Sequence, residues 1–152
     1  MRDSARFEPT TEGPTKLFLD TSALFAYFHP NTDEHRQATA FLEAVGDNEI
    51  PYRPLYTSTY VVDELATLLL SKGTHELATV ALERTLDSEH VSVIPESETE
   101  FSAARTAFER YDDHAISFTD HLCAVQMRER DIDHVFAYDR DFRTLGFEQL
   151  PR

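Results

Sequence analysis

Two short apolar runs in this chain each end in a carboxylate: Lys16-Leu17-Phe18-Leu19-Asp20 and His134-Val135-Phe136-Ala137-Tyr138-Asp139. Runs that are apolar throughout, rather than alternating, read as short strands buried on both faces, the pattern of a parallel sheet. Doubly wound sheets take their ligands outside the carboxyl ends of the strands. Both acids fall there.

Helical segments fill the space between these runs. Thr21-Ser22 opens a helix through Tyr27 and Phe28, which stops before Pro30. Thr32 reads as the N-cap of a helix carrying Ala38, Phe41, Leu42 and Val45 and closed by Gly46. Residues 47–54, with Pro51 and Pro54, read as a loop, and Leu55 to Thr59 as a short strand. An apolar helix follows from about Tyr60 to Ser71 and ends at Gly73; Thr74 caps another to Leu86. Val91 to Ile94 is a β-rich run stopped by Pro95. Ser97-Glu98-Thr99-Glu100 is a capping-box pattern opening a helix with Phe101, Ala104 and Phe108 on one face. Ser117-Phe118-Thr119-Asp120 repeats the pattern before the apolar stretch Leu122 to Met127. Strands alternating with helices imply right-handed βαβ units and an α/β fold with a mainly parallel sheet covered on both faces. Residues 1–15, broken at Pro9, Gly13 and Pro14, read as a flexible tail, and 16–152 as one domain.

Composition narrows the function classes. The 152 residues suffice for one sizeable core, and the seventeen Phe and Tyr exclude a disordered composition. No apolar run approaches the roughly 20 residues that span a bilayer, and the polar N-terminus lacks the apolar stretch of a secretory signal. The single cysteine, Cys123, excludes an internal disulfide framework and fits a reducing cytoplasm, where it reads as a small buried hydrophobe. The net charge is −14 and only Lys16 and Lys72 are lysines. Such a surface repels nucleic acid at long range. A salt-rich, halophilic cytosol would screen that repulsion and explain the acidity as a solubility device. The seven histidines form no metal-binding spacing and read as solvated.

Two further acids sit on or at the start of apolar helices: Glu64 in Tyr60-Val61-Val62-Asp63-Glu64-Leu65-Ala66, and Asp120 ahead of Leu122-Cys123-Ala124-Val125. Acids on segments otherwise suited to burial are unfavourable unless paired or metal-bound. Should Asp20, Glu64, Asp120 and Asp139 converge, their repulsion calls for a cation, and an all-oxygen site suits Mg²⁺ or Mn²⁺. Helix capping is the alternative employment of Asp20, Asp120 and Asp139, whereas Glu64, inside its helix, has no cap to make. Asp141 shares the capping option with Asp139 and is a further candidate. Ser22 and Thr119 offer hydroxyls that could orient a carboxylate or a bound water, or simply cap. Arg140 and Arg143 could neutralise phosphate, or be ordinary surface charge.

Four segments carry a family resemblance. Leu17-Phe18-Leu19-Asp20-Thr21-Ser22-Ala23-Leu24 resembles the opening strand and first acidic motif of PIN domains. Val62-Asp63-Glu64-Leu65-Ala66-Thr67-Leu68-Leu69 is similar to the second, and Ser117-Phe118-Thr119-Asp120-His121-Leu122-Cys123-Ala124-Val125 to the third. Val135-Phe136-Ala137-Tyr138-Asp139-Arg140-Asp141-Phe142, with Leu145-Gly146-Phe147, is similar to the fourth. The departures are Tyr138, where a small polar residue is commoner, and His121 in the third motif. The resemblance implies a three-layer α/β/α fold and a Mg²⁺- or Mn²⁺-dependent ribonuclease. In it Asp20, Glu64, Asp120 and Asp139 take the acidic positions and a metal-activated water attacks the RNA phosphate. Small members of this kind include VapC-type toxins, which implies a cognate antitoxin and a homodimer. A housekeeping PIN nuclease in RNA processing and a PIN-like binding module that does not cut are the alternatives. A phosphatase using Asp20 as nucleophile would want a second acid at position 22, which is Ser22.

Overall fold

A computed structural model describes residues 6–9, 13–112 and 115–152. Its elements, in chain order, are β1 (Thr15–Leu19), α1 (Thr21–Phe28), α2 (His35–Gly46), β2 (Tyr52–Ser58), α3 (Thr59–Lys72) and α4 (His75–Leu86). They continue with β3 (Val91–Ile94), α5 (Glu98–Arg110), α6 (Phe118–Glu129), β4 (His134–Phe136), α7 (Asp141–Thr144) and β5 (Glu148–Leu150). The five strands form one sheet in the order β3-β2-β1-β4-β5, with every pairing parallel. This is the α/β/α architecture expected.

The order has one switch. From β1 the chain moves outward to β2 and β3, then returns across the sheet to place β4 on the other side of β1. Right-handed crossovers put α1 to α4 on one face and α5 to α7 on the other, consistent with α1 packing on α3 and α5 on α6. At the switch, the ends of β1 and β4 are not covered by a connection between them. Leu17, Phe18 and Leu19 are buried, as are Val135, Phe136 and Ala137, because both faces of these central strands carry helices. Below them, Lys16 Nζ donates to the carbonyl of Arg130 at 2.9 Å, tying the start of β1 to the end of α6.

Several boundaries depart from expectation. Thr32 is not the N-cap of α2: its hydroxyl donates to the carbonyls of His29 (3.1 Å) and Ala26 (3.4 Å), satisfying the end of α1, and α2 begins after Glu34. β2 begins at Tyr52 and contains Pro54, because Tyr52 to Pro54 pair only with β1, at a register shift where no ladder donor is needed. β4 ends at Phe136 and not at Tyr138, and β5 joins the sheet unanticipated by any apolar run. On α5 the face bearing Phe101 and Phe108 is largely exposed, although both rings approach Phe118 (5.2 and 6.0 Å between centroids). Glu100 and Ala104 are the residues that turn inward; Glu100 accepts from Arg130 Nη1 at 2.7 Å and closes the Ser97 capping box.

The N-terminal segment departs most. Phe7 is buried, stacked on Phe41 at 4.4 Å and edge-on to Phe136 at 5.8 Å. The Arg152 amide donates to the carbonyl of Arg6 at 3.1 Å. Residues 6–9, read from the sequence as part of a flexible tail, thus pack against the domain; residues 1–5 and 10–12 of that tail lie outside the described residues. No helix of the described residues is long and apolar enough to cross a membrane. Phe7→Ala is expected to lower stability by about 3 kcal/mol in urea unfolding, the range for emptying a buried aromatic site. A truly loose tail would register almost no change.

Candidate metal centre

Asp20 follows β1 directly, where the amide of Asp20 still bonds to the carbonyl of Phe136 (3.0 Å) and the strand end is held by Thr57 Oγ1 donating to Leu19 O (2.8 Å). Its two carboxylate oxygens do different work. Oδ2 caps α1, accepting from Ser22 N at 3.2 Å and Ser22 Oγ at 2.8 Å. Oδ1 is buried with no hydrogen-bond partner. Capping thus accounts for one oxygen and leaves the other orphaned, which is unfavourable for an isolated carboxylate.

Asp120 lies on the first turn of α6, where Ser117 Oγ accepts from its amide at 3.1 Å. The reciprocal half of a capping box, present at Ser97 and Glu100, is not formed here; the Asp120 carboxyl faces other acids instead. Carboxylate oxygens of Asp120, Asp139 and Asp141 all lie within 4.8 Å of one another. Asp139 stands three residues past β4, and its Oδ1 accepts from the amide of Asp141 at 3.2 Å. That local turn brings Asp141 back onto the group, so the second-tier candidate joins the tightest cluster. Arg140 stands at the N-cap of α7 without a side-chain cap bond, and Asp139 Oδ1, by taking the Asp141 amide, covers one amide of that first turn, as the capping reading of Asp139 expected.

The electrostatics follow from this crowding. Burial raises Asp20 to about 7, helped by the charge of Asp139 and opposed by its bonds to Ser22. Burial raises Asp120 to about 8, with the charges of Asp20, Asp139 and Asp141 adding. Asp139 is also raised, again by burial first, with the Asp141 charge adding and the Asp141 amide opposing. One turn beyond Asp120, the Cys123 thiol is buried and pushed well up, first by desolvation and then by Asp20, Asp120 and Glu64. Glu64 is half-buried on α3, where its charge acts on the Cys123 thiol; it is not in the three-residue cluster.

The supporting candidates separate. Ser22 Oγ accepts from the amide of Tyr138 at 2.9 Å while donating to Asp20, so it joins the two strand ends. Thr119 is half-buried beside Asp120, with no hydrogen bond from its hydroxyl to any acid among the described residues. Arg140 and Arg143 are exposed, and Arg143 Nη2 is engaged by the carbonyl of Pro151 (3.2 Å). His121 and His134 are buried rather than solvated, and desolvation holds both toward the neutral form. The His121 ring packs against Tyr111 and Phe108 (5.4 and 6.1 Å). Gln149 escaped the sequence reading: its buried amide donates to the carbonyls of Ala137 (3.0 Å) and Asp139. Its signal, a polar residue in Phe147-Glu148-Gln149-Leu150, is visible only once that segment is known to be a strand beside β4.

The donor set fits a hard divalent cation, since it is all carboxylate oxygen and includes an unpartnered buried one.

The fold and these strand-end acids define a family. This chain belongs to the PIN-domain family, whose model matches residues 17–148. It is similar to VapC20 of Mycobacterium tuberculosis, described as a sarcin-ricin loop cleaving toxin: TM-score 0.77, 27% identity, 86% of this chain and 95% of that one covered. VapBC2 of Rickettsia felis, bound to a promoter DNA fragment, shares the fold with TM-score 0.61 at 16% identity over 89% and 97% of the two chains. A toxin–antitoxin complex from Klebsiella pneumoniae does so with TM-score 0.61 at 15% identity over 90% and 98%. No curated protein sequence matches the chain.

The raised acids predict a pH dependence. Between their ordinary values near 4 and about 7–8, the folded protein holds protons that the unfolded chain has released. Stability of the metal-free protein therefore falls as pH rises through that window. Thermal melts in chelator are expected to show Asp120→Asn exceeding the native chain by about 3 °C at pH 8 and losing that advantage near pH 4. Equal melting at pH 8 would mean that the acids do not repel one another.

Proposed function

We propose that this chain is a Mg²⁺- or Mn²⁺-dependent ribonuclease, hydrolysing RNA phosphodiesters as the toxin of a VapBC-type pair. The observation that carries the reading is the carboxylate group of Asp120, Asp139 and Asp141 beside the orphaned Oδ1 of Asp20, at the sheet's switch point. Asp20, Asp120 and Asp139 would hold the ion, with Asp141 in the same group and Glu64 contributing from α3. A bound ion would activate water for attack and offset charge on the phosphate. Ser22 keeps Asp20 and the Tyr138 turn in register, while the buried strand ends limit water around the acids. Asp20 and Asp120, protonated near neutrality in the metal-free protein, release protons on loading, so metal affinity rises with pH.

The toxin assignment draws on the 27% identity to VapC20, whose described target is the sarcin-ricin loop. Structured RNA of that loop class is the proposed substrate. A cognate antitoxin covering the acids, a homodimer and a cytoplasmic setting belong to the same proposal. The net charge of −14 makes approach to RNA unfavourable at low ionic strength. Added monovalent salt is therefore expected to strengthen RNA binding over its lower range, the reverse of a basic nuclease.

Purified chain free of antitoxin, incubated with a sarcin–ricin-type hairpin and Mg²⁺ or Mn²⁺, is expected to cut it. Asp20→Asn and Asp120→Asn should each slow cleavage by about 100-fold or more, as for loss of a group that stabilises transition-state charge. Cleavage that survives chelator, or persists in both variants, would refute the mechanism.

A further inference from the structure

We propose that Gln149 is a positioning residue for Asp139, setting the direction of that carboxylate and with it the affinity of the acidic group for a divalent cation. The inference rests on the metal-centre reading above. β4 stops at Phe136, and the stretch from Ala137 to Arg140 that carries Asp139 lies outside any strand. Backbone bonds reach this stretch at its two ends, from the Ala137 amide to Leu150 O (3.0 Å) and from the Thr144 amide to Arg140 O (3.4 Å), and side chains hold what lies between. Gln149, facing Val135 in the β4–β5 register, sends Nε2 to the carbonyls of Ala137 and Asp139, either side of Tyr138.

The amide has only one workable orientation. Turned over, it would set Oε1 against two carbonyl oxygens. In the orientation that bonds, Oε1 is buried with no hydrogen-bond partner. A buried polar atom left unpaired is unfavourable, and an apolar residue of similar shape would avoid it. What the glutamine supplies in exchange is a double clamp on the turn. Ser22 grips the same turn from the β1 side through Tyr138 N. Residues 137–139 are thus held between a side chain from the start of α1 and one from β5, and the spacing between Asp20 and Asp139 follows from both grips. Groups that orient metal-bearing side chains commonly matter about 10–100-fold in metal affinity.

The test is Gln149→Met, which keeps the length and loses both donors. Mn²⁺ affinity, read from the electron paramagnetic resonance signal of free Mn²⁺, is expected to fall about tenfold while the circular dichroism spectrum is retained. RNA cleavage should then recover as Mn²⁺ is raised. Native Mn²⁺ affinity in Gln149→Met, with only a lower melting temperature, would overturn the proposal and leave Gln149 a packing residue. Asp139→Asn separates the two levels. If Asp139→Asn binds Mn²⁺ as the native chain does, the metal reading itself falls; if it binds weakly while Gln149→Met binds normally, only the role of Gln149 falls. Should Gln149→Met not fold, the Gln149 side-chain amide resonances of the native protein provide the readout during Mg²⁺ titration. A shift that saturates with Mg²⁺ supports the coupling, and resonances that stay fixed overturn it.

Discussion

Carboxylates that approach within 4.8 Å in a desolvated space cannot all stay charged without help, and the organisation around the end of β1 answers to that fact. At an effective dielectric of about 20, one such pair repels by roughly 3–4 kcal/mol. Small domains are stable by only about 5–15 kcal/mol in total. Two such pairs would consume most of that margin, so protons or a cation must neutralise part of the charge. The positions that hold the acids are correspondingly rigid. Asp20 is tied to Ser22, Asp120 is fixed by the Ser117 cap, Asp139 is folded against the Asp141 amide, and the Asp139 turn is gripped by Gln149.

That rigidity derives from the sheet. The register of the sheet decides which residue comes off each strand end. The Leu17↔His134 and Leu19↔Phe136 pairs bring the ends of β1 and β4 level, so Asp20 and the Tyr138–Asp139 turn emerge side by side. The switch in strand order keeps that end open.

Much of this was legible because it depends on local chemistry. The run Leu17-Phe18-Leu19 marked a buried strand, Ser97 with Glu100 marked a helix start, and Gly73 followed by Thr74 marked a stop and a start. The family resemblance on the four acidic segments agrees with the matched PIN family. What was not legible depends on distant partners. Phe7 looked like tail because the rings that bury it, Phe41 and Phe136, are remote in sequence. Thr32 looked like a cap because nothing local shows that the end of α1 takes its hydroxyl. Asp141 looked secondary to Glu64 because spacing cannot reveal that a turn folds it back onto Asp120. Gln149 carried no signal, since a polar residue in a three-residue edge strand resembles a surface position.

The hydrogen bond between Ser22 and Tyr138 spans 116 residues. Contacts of that separation form late, after the long loop between them has been closed at an entropic cost. During synthesis β1 can pair with β2 early, but its other neighbour does not exist until His134 to Phe136 have been made. The acidic centre is therefore absent from the nascent chain through most of translation and assembles only once residue 141 has left the ribosome. The order of the strands therefore makes the acidic centre one of the last parts of the fold to come together.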